Sequence, residues 1–219
     1  MSDDDMILYA SPLSSYSLKA RLALAYKGVA VDIRQPPGGY RSADYRALVP
    51  AGTIPALVDG DFALTESDAI IEYLDERYPS PSLLPGDARD RARARMVSRL
   101  HDFRVEPSLR ALFRELPPAT RDNEAVTRHF NAFAASLALI DQVARPDPFL
   151  CGSAFTLADC GFPATLILAR RLGVAFGWAF KEAAWFDAWD RAVRSQPGFD
   201  SLLQDYEKVV VDWIMSRQP

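Results

Sequence analysis

The sequence predicts an α/β domain over residues 1–79 followed by an all-helical domain over residues 88–219. Up to Pro79, short apolar runs alternate with segments of helical period, whereas every segment after Gly86 has helical period alone. Between the two, residues 80–87 contain Pro81 and Pro85 among serine and glycine, a composition typical of a domain linker.

The first domain has the predicted element order β-α-β-α-β-β-α. Ile7–Tyr9 is a short apolar run that suits a buried strand, and Tyr9 is expected in the core. The Asp59-Gly60 pair predicts a tight turn, so the strands on either side form a hairpin. Ser67 is predicted to cap the last helix. The predicted helices cover residues 15–27, 42–49 and 67–78, and the predicted strands cover residues 7–9, 29–33, 55–58 and 62–64.

The second domain is predicted to consist of helices. Pro107 lies inside the first of them and is expected to kink it, because its ring clashes with the preceding turn and removes a hydrogen bond. Thr156 and Asp159 have the spacing of a capping box, which assigns them to folding. The predicted helices cover residues 88–116, 121–143, 156–172, 182–194 and 199–215.

The composition excludes several classes of protein. A net charge of −4 gives no basic footprint for nucleic acid, and no apolar window is long enough to span a membrane. Cys151 and Cys160 form no CxxC pair, and the acidic N-terminus lacks the features of a secretory signal, which together favour the reducing cytoplasm. His101 and His129 lack neighbours that would suggest metal ligation, so no metal is expected.

Four short stretches carry recognisable motifs. They are Leu8-Tyr9 leading into Ser14–Leu24, Thr53–Leu57, Leu64–Leu74 and Thr156–Asp159. In this order and at this spacing they resemble the glutathione S-transferase superfamily over nearly the whole chain. The Ser14-Ser15 turn before a cationic, leucine- and alanine-rich helix is similar to the zeta class, which includes maleylacetoacetate and maleylpyruvate isomerases. That class has cysteine after the second serine, where this sequence has Tyr16.

The resemblance implies a thioredoxin-like first domain that binds glutathione as co-substrate and a helical second domain that forms the second-substrate pocket. It also implies a two-fold homodimer. The activity it implies is a glutathione transferase, with a glutathione-dependent cis-trans isomerase as the enzymatic alternative. A non-catalytic binding or regulatory protein on the same fold is the third possibility, since fold does not dictate function.

Ser14 is the first candidate for activating glutathione. The thiol must lose a proton from a reference pKa near ~8.5, and a hydroxyl at the start of a helix can stabilise the thiolate by hydrogen bonding and dipole. Ser14 and Ser15 would otherwise serve only as helix caps, the usual role of serine before such a run. Tyr16 is the rival donor, although tyrosine-dependent classes place that residue closer to the first strand.

Five further residues are candidates for holding glutathione. If the Pro55 peptide bond is cis, the backbone of Ile54 is turned outward to pair with the cysteinyl part; otherwise Pro55 opens an edge strand. Glu66 and Ser67 would meet the γ-glutamyl ammonium and carboxylate, or act as a solvated residue and a cap. Asp68 could also approach the ammonium.

Three arginines are candidates for anion contacts. Arg41 follows the Pro36–Gly39 loop and would meet the glycyl carboxylate, or be solvated. Arg104 and Arg171 are candidates for the second-substrate pocket, where an arginine would favour an anionic acceptor through bidentate pairing. The run of arginines from Arg89 to Arg95 is a charged helix face.

Overall fold

The computed structural model describes residues 6–218. It divides into two compact units, Met1–Leu83 (unit 1) and Leu84–Pro219 (unit 2), and the division falls inside the predicted linker.

Unit 1 is a four-stranded sheet with three helices, which confirms the thioredoxin-like α/β prediction. The strand order is β2-β1-β3-β4, with β1 and β2 parallel and the other pairs antiparallel. The strands are β1 (Met6–Tyr9), β2 (Asp32–Arg34), β3 (Ala56–Asp59) and β4 (Phe62–Thr65), and the helices are α1 (Ser15–Lys27), α2 (Ala43–Leu48) and α3 (Ser67–Arg77).

Alternation along the strands builds a core on each face of the sheet. Met6, Leu8 and Leu57 pack with residues of α1 and α3. Tyr9 and Ala56 point the other way and pack with residues of α2, as a period of two requires. Tyr9 is 7% exposed, which confirms its predicted place in the core.

Two local predictions in unit 1 are wrong. The second strand covers only Asp32–Arg34, because Val29 and Val31 fill the core from the loop that precedes it. Ser67 does not cap α3: it is the first helical residue, and Glu66 occupies the N-cap position at φ 67° and ψ 117° without a side-chain capping bond. The left-handed turn at Glu66 replaces the extended backbone that a capping serine would need.

Within residues 84–218, the regular elements of unit 2 are helices, apart from one β-bridge between Phe149 and Gly152. Five of its helices are α4 (Ala88–Leu100), α6 (Asn123–Val143), α7 (Phe162–Phe176), α8 (Phe186–Arg194) and α9 (Phe199–Arg217). The predicted start of α8 at residue 182 is four residues too early. None of the helices within residues 6–218 is long and apolar enough to cross a membrane.

The helix predicted over residues 88–116 is interrupted more than Pro107 alone suggests. A π-helical turn, His101–Val105, separates α4 from the short helix α5 (Glu106–Arg110), and a 3-10 turn, Ala111–Glu115, follows. Pro107 lies in the first turn of α5, where its missing N–H is tolerated. The wider π turn immediately before it accommodates the interruption that the proline imposes.

Candidate functional site

The register of the sheet brings three separate chain segments to one edge. Tyr9, the last residue of β1, pairs with Ala56, the first residue of β3, and Ala56 pairs with Thr65, the last residue of β4. At this edge, the turn that leads to Ser14 follows β1, the Ile54-Pro55 pair precedes β3, and Glu66 follows β4. We call it the site edge.

Ser14 stands at the N-terminus of α1. Its Oγ accepts a 3.1 Å hydrogen bond from the Ser17 amide, so the serine does cap the helix. No hydrogen bond donated by this hydroxyl is present within residues 6–218, and its proton is available to a ligand. Ser15 is only 3% exposed and Tyr16 is partly exposed, and both have other partners. Of the three candidates, Ser14 has the donor best placed at the positive end of α1.

The Ile54-Pro55 peptide bond is cis, which is the geometry the resemblance implied. Neither the N–H nor the C=O of Ile54 is hydrogen-bonded to another of the described residues. The preceding carbonyl, that of Thr53, accepts a 2.8 Å hydrogen bond from the hydroxyl of buried Tyr45 in α2. Burial, with the adjacent Tyr9, raises the pKa of Tyr45 to about 12. Tyr45 is not among the residues that the sequence motifs point to, because its only signal is an aromatic residue in a short helix.

The N-terminus of α3 also lies at the site edge. Ser67 is buried and Glu66 is exposed, with its side chain unused as a cap. Asp68 forms a 2.6 Å ion pair with Lys19 of α1, whose side chain has no exposed surface. This pairing commits the Asp68 carboxylate to the protein, so Glu66 is the more available carboxylate for a ligand ammonium. Lys19 is not among the residues that the sequence motifs point to.

Arg41 lies on the loop between β2 and α2. It has a positive φ of 70°, its amide donates a 3.0 Å bond to the Gly52 carbonyl, and its guanidinium lies 5.4 Å from the centre of the Tyr40 ring. The side chain is exposed, so its role in binding a carboxylate stays a prediction.

The two arginines predicted for the second-substrate pocket have different surroundings in unit 2. Arg104 lies in the π turn and lines a shallow depression with Arg99 and Phe103. Arg171 in α7 is already paired, since its Nε and Nη2 lie 3.0 and 2.6 Å from a carboxylate oxygen of Glu207. An anionic substrate would have to compete with Glu207 for Arg171, whereas Arg104 is exposed.

The predicted capping box of Thr156 and Asp159 is present. Asp159 has no exposed surface and also accepts hydrogen bonds from the Leu150 amide and the Trp189 indole, each at 2.8 Å. Burial raises the pKa of Asp159 to about 6 even though these bonds oppose the shift. The residue serves the packing of unit 2.

Unit 2 contains a second buried polar chain that the sequence did not reveal. His101 Nε2 lies 2.7 Å from the Thr165 hydroxyl, which donates to Glu106. His101 Nδ1 lies 2.8 Å from Asp102. The sequence raises only metal ligation as a role for His101, and its partner Thr165 is 64 residues away, too far for a local motif to predict.

Family models for the glutathione S-transferase N-terminal domain and C-terminal domain match residues 8–82 and 123–206. Together with the fold, these matches define the class of protein, and the chain belongs to the glutathione S-transferase family. The resemblance drawn from the four sequence motifs is therefore confirmed.

Particular relatives carry different names. The chain is 36% identical over 169 residues to a stringent starvation protein A homolog of Coxiella burnetii, covering 77% of this chain and 78% of the relative. It is 36% identical over 197 residues to a maleylacetoacetate isomerase of Pseudomonas aeruginosa, covering 86% and 88%. Human glutathione transferase theta-2, solved with glutathione and an unknown ligand, superposes with a TM-score of 0.82 at 26% identity, covering 97% of this chain and 90% of that one.

Proposed function

We propose that this protein is a glutathione transferase that holds glutathione as its thiolate at the site edge and directs it to a small electrophile. The observation that carries the proposal is the Ser14 hydroxyl, which caps α1 through its oxygen. Its proton is donated to no other group among residues 6–218 and is therefore available to a ligand. The cap fixes the oxygen at the positive end of the helix, so the cap and the thiol donor are compatible roles for one side chain.

The required magnitude is within the reach of this arrangement. Lowering the pKa of the thiol by about two units needs about 2.7 kcal/mol of preferential stabilisation of the thiolate. A hydrogen bond to a charged group contributes about 1.5–3 kcal/mol, and a helix terminus contributes about 0.3–1 kcal/mol more.

The rest of the tripeptide has complementary groups along the same edge. The unpaired N–H and C=O of Ile54 suit the cysteinyl backbone, like one rung of an added strand. The N-terminus of α3 at Ser67 suits the γ-glutamyl carboxylate, and exposed Glu66 suits its ammonium. Arg41 is the candidate partner of the glycyl carboxylate.

The test is the ionisation of bound glutathione in Ser14→Ala. We expect the pKa of the bound thiol, followed by thiolate absorbance, to rise by about one to two units, and kcat/KM to fall about 10–100-fold. Ser14→Thr keeps the hydroxyl and should restore most of both. Asp122→Ala removes the cap of α6 in unit 2 and controls for the loss of a cap alone.

Tyr16→Phe tests the rival donor. If Tyr16→Phe shifts the thiol pKa and Ser14→Ala does not, Tyr16 takes the role proposed for Ser14. Glutathione that binds with an unshifted thiol pKa in the unmodified protein would refute activation by either hydroxyl.

Cis-trans isomerisation is the second candidate, favoured by the 36% identity to a maleylacetoacetate isomerase over 86% of this chain. In that reaction the glutathione sulfur adds to a cis double bond, the resulting single bond rotates, and the sulfur leaves again, so glutathione is regenerated. Isomerisation would be favoured if the protein turns over maleylacetoacetate or maleylpyruvate and does not conjugate glutathione to a chlorinated aromatic acceptor. Measurable glutathione binding without turnover of either class would instead favour a non-catalytic role.

A further inference from the structure

Tyr45 connects α2 to the chain segment that precedes Pro55. Its hydroxyl donates a 2.8 Å hydrogen bond to the Thr53 carbonyl, and its side chain has no exposed surface. The ring packs edge-on against Tyr9 with 5.3 Å between ring centroids, so the neighbouring strand fixes the position of the hydroxyl. The Tyr45 contact is therefore held rigidly from within the core.

This hydrogen bond determines the direction of the next amide. The Thr53 carbonyl and the Ile54 N–H belong to one planar trans peptide unit, in which the two groups point in opposite directions. Because the carbonyl points toward the Tyr45 hydroxyl, the Ile54 N–H points away from it. A hydrogen bond accepted by the carbonyl also polarises the peptide unit, which makes its N–H a stronger donor.

The amide oriented in this way is one that the protein itself leaves unused. The Ile54 N–H has no hydrogen-bond partner within residues 6–218, although the adjacent Ile54 side chain packs against the core on the α2 face. An amide left without a protein partner at the site edge is available to a peptide carbonyl of a ligand.

We propose that Tyr45 is a positioning residue for glutathione, whose hydroxyl aims and polarises the Ile54 amide that donates to the cysteinyl carbonyl of the tripeptide. The inference rests on the proposed function, because it assumes that glutathione occupies the site edge. A phenol is protonated throughout the neutral range, and burial raises the pKa of Tyr45 further, to about 12, so its hydroxyl remains a donor.

The test compares Tyr45→Phe with Tyr73→Phe. Both remove one hydroxyl from unit 1, and the Tyr73 hydroxyl donates to Asp59, which pairs with Met6 at the opposite end of the strands. For Tyr45→Phe we expect Kd and KM for glutathione to rise about ten-fold while kcat at saturating glutathione stays within about two-fold. Tyr73→Phe should lower thermal stability and leave Kd and KM for glutathione unchanged.

A second measurement follows the Ile54 amide without any ligand. In protein labelled with 15N-isoleucine, with the resonance assigned through Ile54→Val, the Ile54 nitrogen shift should move in Tyr45→Phe and stay in place in Tyr73→Phe. If Tyr45 served only stability, Tyr45→Phe would lower the melting temperature, and KM for glutathione would not rise while kcat stayed constant.

The possible outcomes separate this inference from the proposed function. Equal glutathione affinity in Tyr45→Phe and the unmodified protein would overturn the positioning role alone, as would a fall in kcat at constant KM. An unmodified protein that binds no glutathione would overturn the proposed function, and the role of Tyr45 with it.

Discussion

Replacing Asp159 with alanine tests the buried hydrogen-bond network of unit 2. The carboxylate accepts bonds from the Leu150 amide at 2.8 Å, the Thr156 amide at 2.9 Å, the Thr156 hydroxyl at 3.0 Å and the Trp189 indole at 2.8 Å. Asp159→Ala leaves these donors without an acceptor where water does not reach, at about 1–3 kcal/mol each before relaxation. We expect a net loss of about 3–5 kcal/mol in the free energy of unfolding.

Asp159→Asn separates charge from shape in the same place. The asparagine keeps one acceptor oxygen but turns an NH₂ group toward donors, so we expect a loss of about 2–4 kcal/mol at pH 7. Burial raises the pKa of Asp159 from 3.8 to about 6, so between these values the folded state binds a proton more tightly than the unfolded state. The stability that Asp159 contributes therefore increases as the pH falls through 6, and the asparagine variant lacks this increase.

The pH dependence gives the sharper measurement. From the shift to about 6, the gap in unfolding free energy between the unmodified protein and Asp159→Asn should widen by about 1 kcal/mol between pH 7 and pH 5. Urea unfolding followed by tryptophan fluorescence at both pH values measures the gap. Asp122→Ala, which removes an exposed carboxylate that caps α6, should cause a much smaller loss than Asp159→Ala. A gap that narrows at pH 5, or equal losses in the two alanine variants, would refute the reasoning.

Three further substitutions probe packing, two in unit 2 and one in unit 1. Gly161→Ala should lower the unfolding free energy by about 2–3 kcal/mol, because the new Cβ would lie 2.5 Å from His101 Cε1 and both ring nitrogens are held by hydrogen bonds. Gly177→Ala, which meets open space at φ +67°, should cost about 1 kcal/mol, and urea unfolding that ranks the two in reverse would contradict this. Lys27→Met should cost about 3–5 kcal/mol, since buried Lys27 donates to Asp75 and to two backbone carbonyls. It should also expose residues 78–83 to limited proteolysis, and an unchanged cleavage rate would show that Lys27 does not hold this segment.

Much of the fold could be predicted because its signals are local. The helix predicted over residues 15–27 is α1, which ends at Gly28 in a left-handed conformation, and the predicted Asp59-Gly60 turn joins β3 to β4. The predictions failed where a local rule gave way to a constraint from elsewhere. Ser67 follows the pattern of a cap, but the chain leaves β4 through a left-handed turn at Glu66, which makes Ser67 the first helical residue instead of the cap.

The candidate site was predictable to a different extent. Ser14 and Glu66 lie in loops whose composition points to function, and both loops start at the site edge, after β1 and after β4. Tyr45 and Lys19 were missed because their importance comes from partners 8 and 49 positions away, Thr53 and Asp68. A periodicity of two or of 3.6 predicts which face of an element is buried, but it cannot say which polar atom a buried side chain will meet.

Sequence similarity alone does not choose between a catalytic and a non-catalytic role for this chain. It is 36% identical both to a maleylacetoacetate isomerase and to a stringent starvation protein A homolog. The discriminating quantity is the ionisation of a bound thiol, because the proposed transferase would lower the pKa of that thiol through the Ser14 hydroxyl and the start of α1. A scaffold that only binds would tolerate glutathione with an unshifted thiol pKa, because backbone pairing at Ile54 and anion contacts at α3 need no thiolate. A lowered pKa of the bound thiol that Ser14→Ala abolishes would therefore favour the proposed enzyme over a binding protein.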